Sequence, residues 1–338
     1  VALFQTERTS LYSIAELFAG YDPAKPISFR DTPDFQIYKA FVADKGTASI
    51  NRPEVLKRAE HDCSITELFA AALTGKKVVA IMGGHNVLRG SPAYESAAKT
   101  AARLADEGFL VISGGGPGAM EAVHLGAAVG KDDNTLADFL KRLKALPPEQ
   151  KDCSGFPVVY TGKAPDKVTV SDALIEKLAG YYAPGWQIRQ EIGHGGGIAV
   201  PTWMYGWEPT TVFADGVAKY FQNSIREDGL LAAATHGIIY AEGRAGTLQE
   251  VFQDAAQNYY RSFPAPSEQA GVGVFSPMVF LGRFWRWTVP VEPILQGLFA
   301  LGSVSDEEAA RVVFTDSIDE AVKTITNFKG PPVPPALL

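Results

Sequence analysis

Cysteine is scarce in this chain of 338 residues: Cys63 and Cys153 are the only two. Two distant thiols make no disulfide framework and have no zinc-type spacing, so both are expected to be ordinary thiols in a reducing compartment. Long apolar runs are missing as well. No stretch approaches roughly 18 uninterrupted apolar residues, which leaves no candidate for a membrane span. The first residues, VALFQTERTSLYSIAELFAG, carry early charges and no long apolar centre, so no signal peptide is expected. Positive charge is in short supply, with 31 Lys and Arg against 38 Asp and Glu and a net charge of −7. Such a chain cannot neutralise phosphates in bulk, which argues against nucleic acid and anionic membranes as partners. A small phosphorylated ligand needs only a few local donors and stays open. The five histidines include no pair with metal-site spacing, and no internal repeat is visible. A cytoplasmic protein without a bound metal is expected.

What is present suits a globular fold with a substantial core: 46% hydrophobic and 20% charged residues. Residues 1–75 are punctuated by Pro and Asp and read as a partly helical N-terminal extension, with SITELFAAALTG near its end helical. From Lys76 the pattern becomes regular. KKVVAIMGG is a short β-branched run ending in glycine, as a buried parallel strand would be. SPAYESAAKTAARLADEG follows as a helix, with Tyr94, Ala97, Ala98, Ala101, Leu104 and Ala105 on one face and Gly108 as its stop. FLVISGGGPGAMEAVHLGAAVG repeats strand, turn and helix. This alternation predicts an α/β fold, a doubly wound parallel sheet of about six or seven strands with helices on both faces. The main domain is expected over 76–330, with 131–195 as a more polar insertion and 331–338 as a Pro-rich tail. Within the insertion, DNTLADFLKRLKAL and SDALIEKLAGYY read as helices around a short strand, FPVVYTG. Further on, GGGIAVPTW reads as a strand, GVAKYFQNSIREDGLLAAA as a helix, GVGVFSPMVFLG as a strand and EPILQGLFALG as a helix. VVFTDSIDEAVKTITNF closes the domain as strand and helix.

Three of the strands end in glycine turns: Gly83-Gly84 with His85 and Arg89 behind, SGGGPGAME from Ser113, and AEGRAGTLQE from Ala241. In an open parallel sheet, ligands bind outside the carboxyl ends of strands, where strand order reverses. The three turns therefore point to one rim. Gly114, Gly116 and Ala119 match the dinucleotide fingerprint between a strand and a helix. The acidic residue expected at the end of the next strand is missing, since Asp132 and Asp133 fall in a loop entering a helix. That disfavours a dinucleotide oxidoreductase. An anion site at a helix N-terminus and a purely structural turn both remain open for Gly114, Gly115 and Gly116. In the third turn, Gly243, Ala245, Gly246 and Thr247 resemble a phosphate loop. Thr247 could instead form a capping box with Glu250.

Together, SGGGPGAMEA and GRAGTLQE are similar to the two signatures of the LOG ("lonely guy") family, also described under the name lysine decarboxylase. The resemblance runs from about Val78 to Phe280 and takes in the glycine pair after the first strand, Tyr94 and an arginine upstream of the second signature. It implies a dimeric Rossmann-like enzyme without a cofactor. Such an enzyme hydrolyses the N-glycosidic bond of a nucleoside 5′-monophosphate, releasing free base and ribose 5-phosphate. Nothing specific in the chain suggests the Schiff-base lysine and pyridoxal phosphate that a decarboxylase would need. By the same resemblance, Arg226 and Glu250 are the catalytic pair, Met120 and Glu121 contact base and sugar, and the glycine turns hold the phosphate of an AMP-like ligand.

A carboxylate such as Glu250 suits this chemistry, because it can stabilise an oxocarbenium-like sugar and orient a water. Glu121 could assist through the ribose hydroxyls. Arg226 could hold Glu250 or the phosphate by a bidentate contact, or be a surface partner of Glu227 or Asp228. The third turn departs from the family pattern: Glu242 stands where proline is usual and Arg244 where a second glycine is usual. Arg244 either aims its guanidinium at phosphate or turns outward to pair with Glu242, leaving the amides of Gly246 and Thr247 to bind. The second arrangement is expected. These two residues also support a rival reading, a nucleotide carrier or sensor without turnover. His85 could touch a ligand, His194 sits in a loop, and His124 and His236 are expected in the core. Trp203, Tyr205 and Trp207 are expected at an interface or pocket rim, and Glu208 has no derivable role.

Overall fold

All three glycine turns follow strands in the computed structural model, which describes residues 3–153, 170–203, 209–261, 274–302, 304–330 and 333. The sheet has seven strands: β1 (Val78–Met82), β2 (Leu110–Ser113), β3 (Ile198–Ala199), β4 (Gly216–Val217), β5 (Ile238–Tyr240), β6 (Met278–Leu281) and β7 (Val312–Thr315). They lie in the order β4-β3-β2-β1-β5-β6-β7, and every pairing is parallel. All five residues of β1 are buried, as the continuous apolar run VVAIM requires of a central strand. The chain adds β2, β3 and β4 outward on one side of β1, then returns to place β5, β6 and β7 on the other. The order reverses between β1 and β5, where a doubly wound sheet opens a crevice. Helices alternate with the strands, so the expected α/β architecture holds.

The run GVAKYFQNSIREDGLLAAA is not helical throughout. Its first residues form β4, and the helix starts only at Asn223. Pairing of Gly216 with Ile198 and of Val217 with Ala199 extends the sheet at that point. The two-residue strand is too short to show period-two alternation, which is why helical spacing dominated the sequence pattern. The predicted strand FPVVYTG lies outside the described residues. The insertion's two predicted helices form at Asp133–Lys144 and Asp172–Ile192, the second longer than its sequence motif, and a short helix, Pro148–Lys151, lies between them.

Residues 3–75 share the hydrophobic core of the rest of the chain, through Leu17, Phe18, Phe29, Phe35, Ile65 and Phe69 among others. Each such side chain, fully buried, contributes on the order of 1.5–3 kcal/mol. Tyr12 exchanges both backbone hydrogen bonds with Val217, at 3.0 and 2.9 Å, and so covers the β4 edge of the sheet. Asp34, on helix Pro33–Ala43, accepts from Lys219 Nζ at 2.5 Å and from the Trp203 indole at 3.1 Å, all in the interior. Trp203 is thus a core residue, not an interface or rim residue, because its N–H has a buried carboxylate to donate to. Tyr205, Trp207 and Glu208 lie outside the described residues. On helix Arg52–Leu73, the buried carboxylate of Asp62 accepts the backbone N–H groups of Phe221 and Gln222, each at 2.9 Å. Those two residues lead directly into helix Asn223–Ala233. Among the described residues no helix is long and apolar enough to cross a membrane. Cys63 is exposed and Cys153 is buried, and neither is in a disulfide.

Candidate active site

The turn after β1 stitches the other two together. Gly84 N–H donates to Glu242 O at 2.9 Å, and Gly84 O accepts from Ala119 N at 3.1 Å. The contact leaves no room for side chains: a Cβ on Gly84 would lie 3.1 Å from Gly243 Cα, and one on Gly118 would lie 2.5 Å from Gly84 O. Gly118 also has φ of 67°, a left-handed conformation that glycine adopts without strain. The SGGGPGAME turn is therefore glycine-rich so that one loop can press against the next.

Beyond these turns, at the reversal between β1 and β5, lies a crevice of about 330 Å³. Of the residues singled out in the sequence, Gly83, Gly84, Met120, Arg226, Arg244, Ala245, Gly246, Thr247 and Glu250 line it. His85, Asn86, Asn223, Glu227 and Gln249 complete its wall. Gly114, Gly115, Gly116, Glu121 and Gly243 do not line it. Gly114 sits behind the Met120 sulfur and the Arg226 guanidinium, and Gly115 packs on Ala199 and Pro201. Gly243 packs on Thr247.

Glu121 is buried away from the crevice with every oxygen engaged. Arg89 grips it in a bidentate pair at 2.8 and 2.7 Å, while the hydroxyls of Tyr94 and Tyr181 donate to it at 2.7 and 3.0 Å. Burial alone would raise its pKa, but the Arg89 charge and these hydrogen bonds more than offset that and hold the carboxyl below the usual glutamate range. A role at the ribose is thereby corrected to a structural one: this carboxylate has no lone pair left for a ligand.

Arg226 and Glu250 do meet across the crevice. Arg226 Nη1 stands 3.6 Å from Glu250 Oε1, with the two side chains 8% and 14% exposed, so the pair is no surface ion pair with Glu227 or Asp228. Arg226 Nε is buried with no hydrogen-bond partner, as is Oδ1 of Asn223 one turn earlier. Asn223 Nδ2 donates to Glu227 Oε2 at 2.9 Å. Asn223 and Gln249 carried no motif signal. Only the spacing of Asn223 to Arg226, one helical turn, would have placed Asn223 here, whereas no helical spacing to Glu250 marks Gln249.

Glu250 rides on helix Ala245–Tyr260, which is moored one turn further on. The Tyr240 hydroxyl, at the end of β5, donates to Asp254 Oδ2 at 2.7 Å, and Asn258 Nδ2 donates to Asp254 Oδ1 at 3.2 Å. Complete burial without a cation pushes the Asp254 pKa up to about 7. At the other end, the N-cap of this helix is Arg244, and no side chain caps its first turn. The capping box of Thr247 with Glu250 therefore does not form, because the helix begins two residues before Thr247. Its uncapped N–H groups and dipole face the crevice, an arrangement that attracts an anion. Arg244 has φ of −121° and ψ of −151°, ordinary extended backbone, so arginine takes the place of glycine here without strain. Its side chain is exposed as expected, but among the described residues no ion pair joins it to Glu242. His124 and His236 are buried in the core, and burial lowers the pKa of each to about 4. His85 lines the crevice and His194 is exposed.

No protein-family model matches the chain. No curated protein matches it either. Among solved structures, it is similar to the molybdenum cofactor binding protein from the phototrophic bacterium Rippkaea orientalis, at 14% identity and a TM-score of 0.37, covering 74% of this chain and 95% of that one.

Chemically, the crevice combines an anion-attracting helix end, an exposed arginine beside it, and a buried carboxylate–guanidinium pair within the same small volume. It also offers an apolar wall at Met120. Among the described residues no cluster of three His, Cys, Asp or Glu is arranged to hold a metal ion.

Proposed function

We propose that this crevice binds a nucleoside 5′-monophosphate and that the chain hydrolyses its N-glycosidic bond. The phosphate sits at the first turn of helix Ala245–Tyr260, with Arg244 as an additional cation. The observation that carries the reading is the Arg226–Glu250 pair facing each other inside the crevice. Its two members come from two different helices, and the resemblance to the LOG family implies the same two residues, Glu250 at the end of the second signature and Arg226 on the helix upstream of it. Glu250 stabilises positive charge at C1′ and orients a water. That water's oxygen bonds to C1′ as the C1′–N bond breaks and the electron pair leaves with the base, and the proton the water loses ends on the base nitrogen that has taken that pair. Arg226 holds the Glu250 carboxylate in place, and its Nε–H remains to donate to the ligand.

The rival reading, a carrier of the same ligand, draws on one observation: Arg244 stands exposed on the loop that would touch phosphate. The test is incubation of the protein with AMP, CMP, GMP and IMP, followed by chromatography for free base and ribose 5-phosphate. At least one is cleaved, and Glu250→Gln or Arg226→Ala abolishes cleavage, a loss of about 10²-fold or more, without unfolding. Saturable nucleotide binding with no base released by the wild type would overturn hydrolysis in favour of the carrier.

A further inference from the structure

A second cavity lies on the far side of helix Asn223–Ala233 from the crevice. It measures about 240 Å³ and lies between that helix and helix Arg52–Leu73. Its walls are largely apolar: Phe41, Val55, Ala59, Phe221 and Ile225 contribute to them. Two charged residues, Arg58 and Asp62, also line it, and Arg58 is 7% exposed. Arg58 is already neutralised, since Nη2 donates to Asp44 Oδ2 at 2.8 Å and Nη1 to Gly46 O at 3.2 Å. The guanidinium carbon lies 4.9 Å from the Phe41 ring centroid and 5.7 Å from that of Phe221. Its Nε is buried and has no hydrogen-bond partner.

A buried donor without an acceptor is costly, and this one belongs to a side chain that lines a volume left open among the described residues. A lone water would satisfy Nε but leave the apolar walls without contacts. Charge decides what would serve better. The one cation in the cavity wall, Arg58, is paired with Asp44. Asp62, also in the wall, adds a carboxylate engaged only with backbone N–H groups and His61. Among the residues that line the cavity, no unpaired cation is left over for an anion. We propose that the cavity is a binding site for a small neutral molecule, an apolar ring or short chain bearing one hydrogen-bond acceptor such as a carbonyl. The acceptor takes the Arg58 Nε–H and the apolar part fills the space between Phe41, Phe221 and Ile225. This site is separate from the crevice and does not depend on what the crevice does.

The experiment is a titration of the isotope-labelled full chain, followed by NMR, with acetophenone, ethylbenzene and benzoate. Acetophenone carries the acceptor, ethylbenzene has the same shape without it, and benzoate adds a negative charge. Acetophenone should shift the amide signals of Ala59 and Ile225 saturably, and ethylbenzene should bind about tenfold more weakly, the usual worth of a hydrogen bond to a charged group. Benzoate should bind more weakly than acetophenone. Ile225 is 45% exposed at the mouth, so Ile225→Trp should fill the cavity, keep the folded spectrum and remove acetophenone binding. The proposal is overturned by any of four results: no saturable shift at Ala59 and Ile225, ethylbenzene as tight as acetophenone, benzoate tighter than acetophenone, or unchanged acetophenone binding to Ile225→Trp.

Discussion

Replacing Glu121 by glutamine tests whether this residue serves the fold or the ligand. The substitution keeps size and shape and removes one negative charge from beneath Arg89, which is 2% exposed. Arg89 retains two backbone acceptors, Tyr181 O at 2.6 Å and Gln150 O at 3.0 Å, but no carboxylate to balance its charge. The new amide group would also confront the guanidinium with a donor. Breaking a buried pair from one side costs about 3–5 kcal/mol. That is a large share of a total stability of about 5–15 kcal/mol. The pH dependence has a definite sign. Because the folded-state pKa of Glu121 is lowered, its contribution is complete above the ordinary glutamate range and is lost as pH falls through the folded value. Urea unfolding at neutral pH is the assay, with an unchanged m-value as the check that both states remain comparable. The double variant Arg89→Met with Glu121→Leu should recover most of the loss, since an apolar pair leaves no stranded charge. A loss below about 1 kcal/mol in Glu121→Gln would refute this reasoning. So would a double variant that costs the sum of the two single substitutions.

Two further outcomes follow from the same buried chemistry. The Asp254 pKa is raised to about 7, so the folded state holds a proton that the unfolded state has released; stability should fall by roughly 3–5 kcal/mol as pH rises from about 4 to about 7. Asp254→Asn removes that slope, so its urea midpoint should exceed that of wild type at pH 8 and approach it at pH 5, and parallel curves would show the carboxyl to be ionised throughout. Gly126→Ala would place a Cβ 1.9 Å from the Ala98 carbonyl oxygen where two helices cross, whereas Gly246 has nothing within 4 Å. The first should lower thermal stability by about 1–3 kcal/mol or more, the second should leave it nearly unchanged, and equal melting temperatures would contradict the close approach.

The central strands were legible because β1, β5 and β6 are continuous apolar runs bounded by glycine or proline, and their periodicity has one reading. The edge was not. β4, read as the start of a helix, is only two residues long, and pairing with β3, not local pattern, makes it a strand. In the site, Arg226 and Glu250 could be named only through the resemblance to the LOG family, because nothing local in the sequence pairs a residue of one helix with a residue of the next. Glu121 illustrates the limit. Its motif position points at a ligand, while its partners come from two distant segments, Arg89 and Tyr94 from one and Tyr181 from the other, that only the folded chain assembles. Trp203 was misread for the same reason, since its acceptor Asp34 is 169 residues away. The unstrained Arg244 could not be foreseen either, because residue type does not reveal which φ the turn demands.

The hold that Asp62 has on Phe221 and Gln222 carries a consequence for how this chain tolerates change. Those two amides set the start of the helix that bears Arg226, so the position of a crevice residue is inherited from a helix that never touches the crevice. A truncation at Lys76 would therefore leave the sheet and all three turns in the sequence while removing the reference point for the guanidinium. In a survey of random substitutions scored for ligand binding, sensitive positions would extend back to Asp62, and distance from the ligand would be a poor guide to importance.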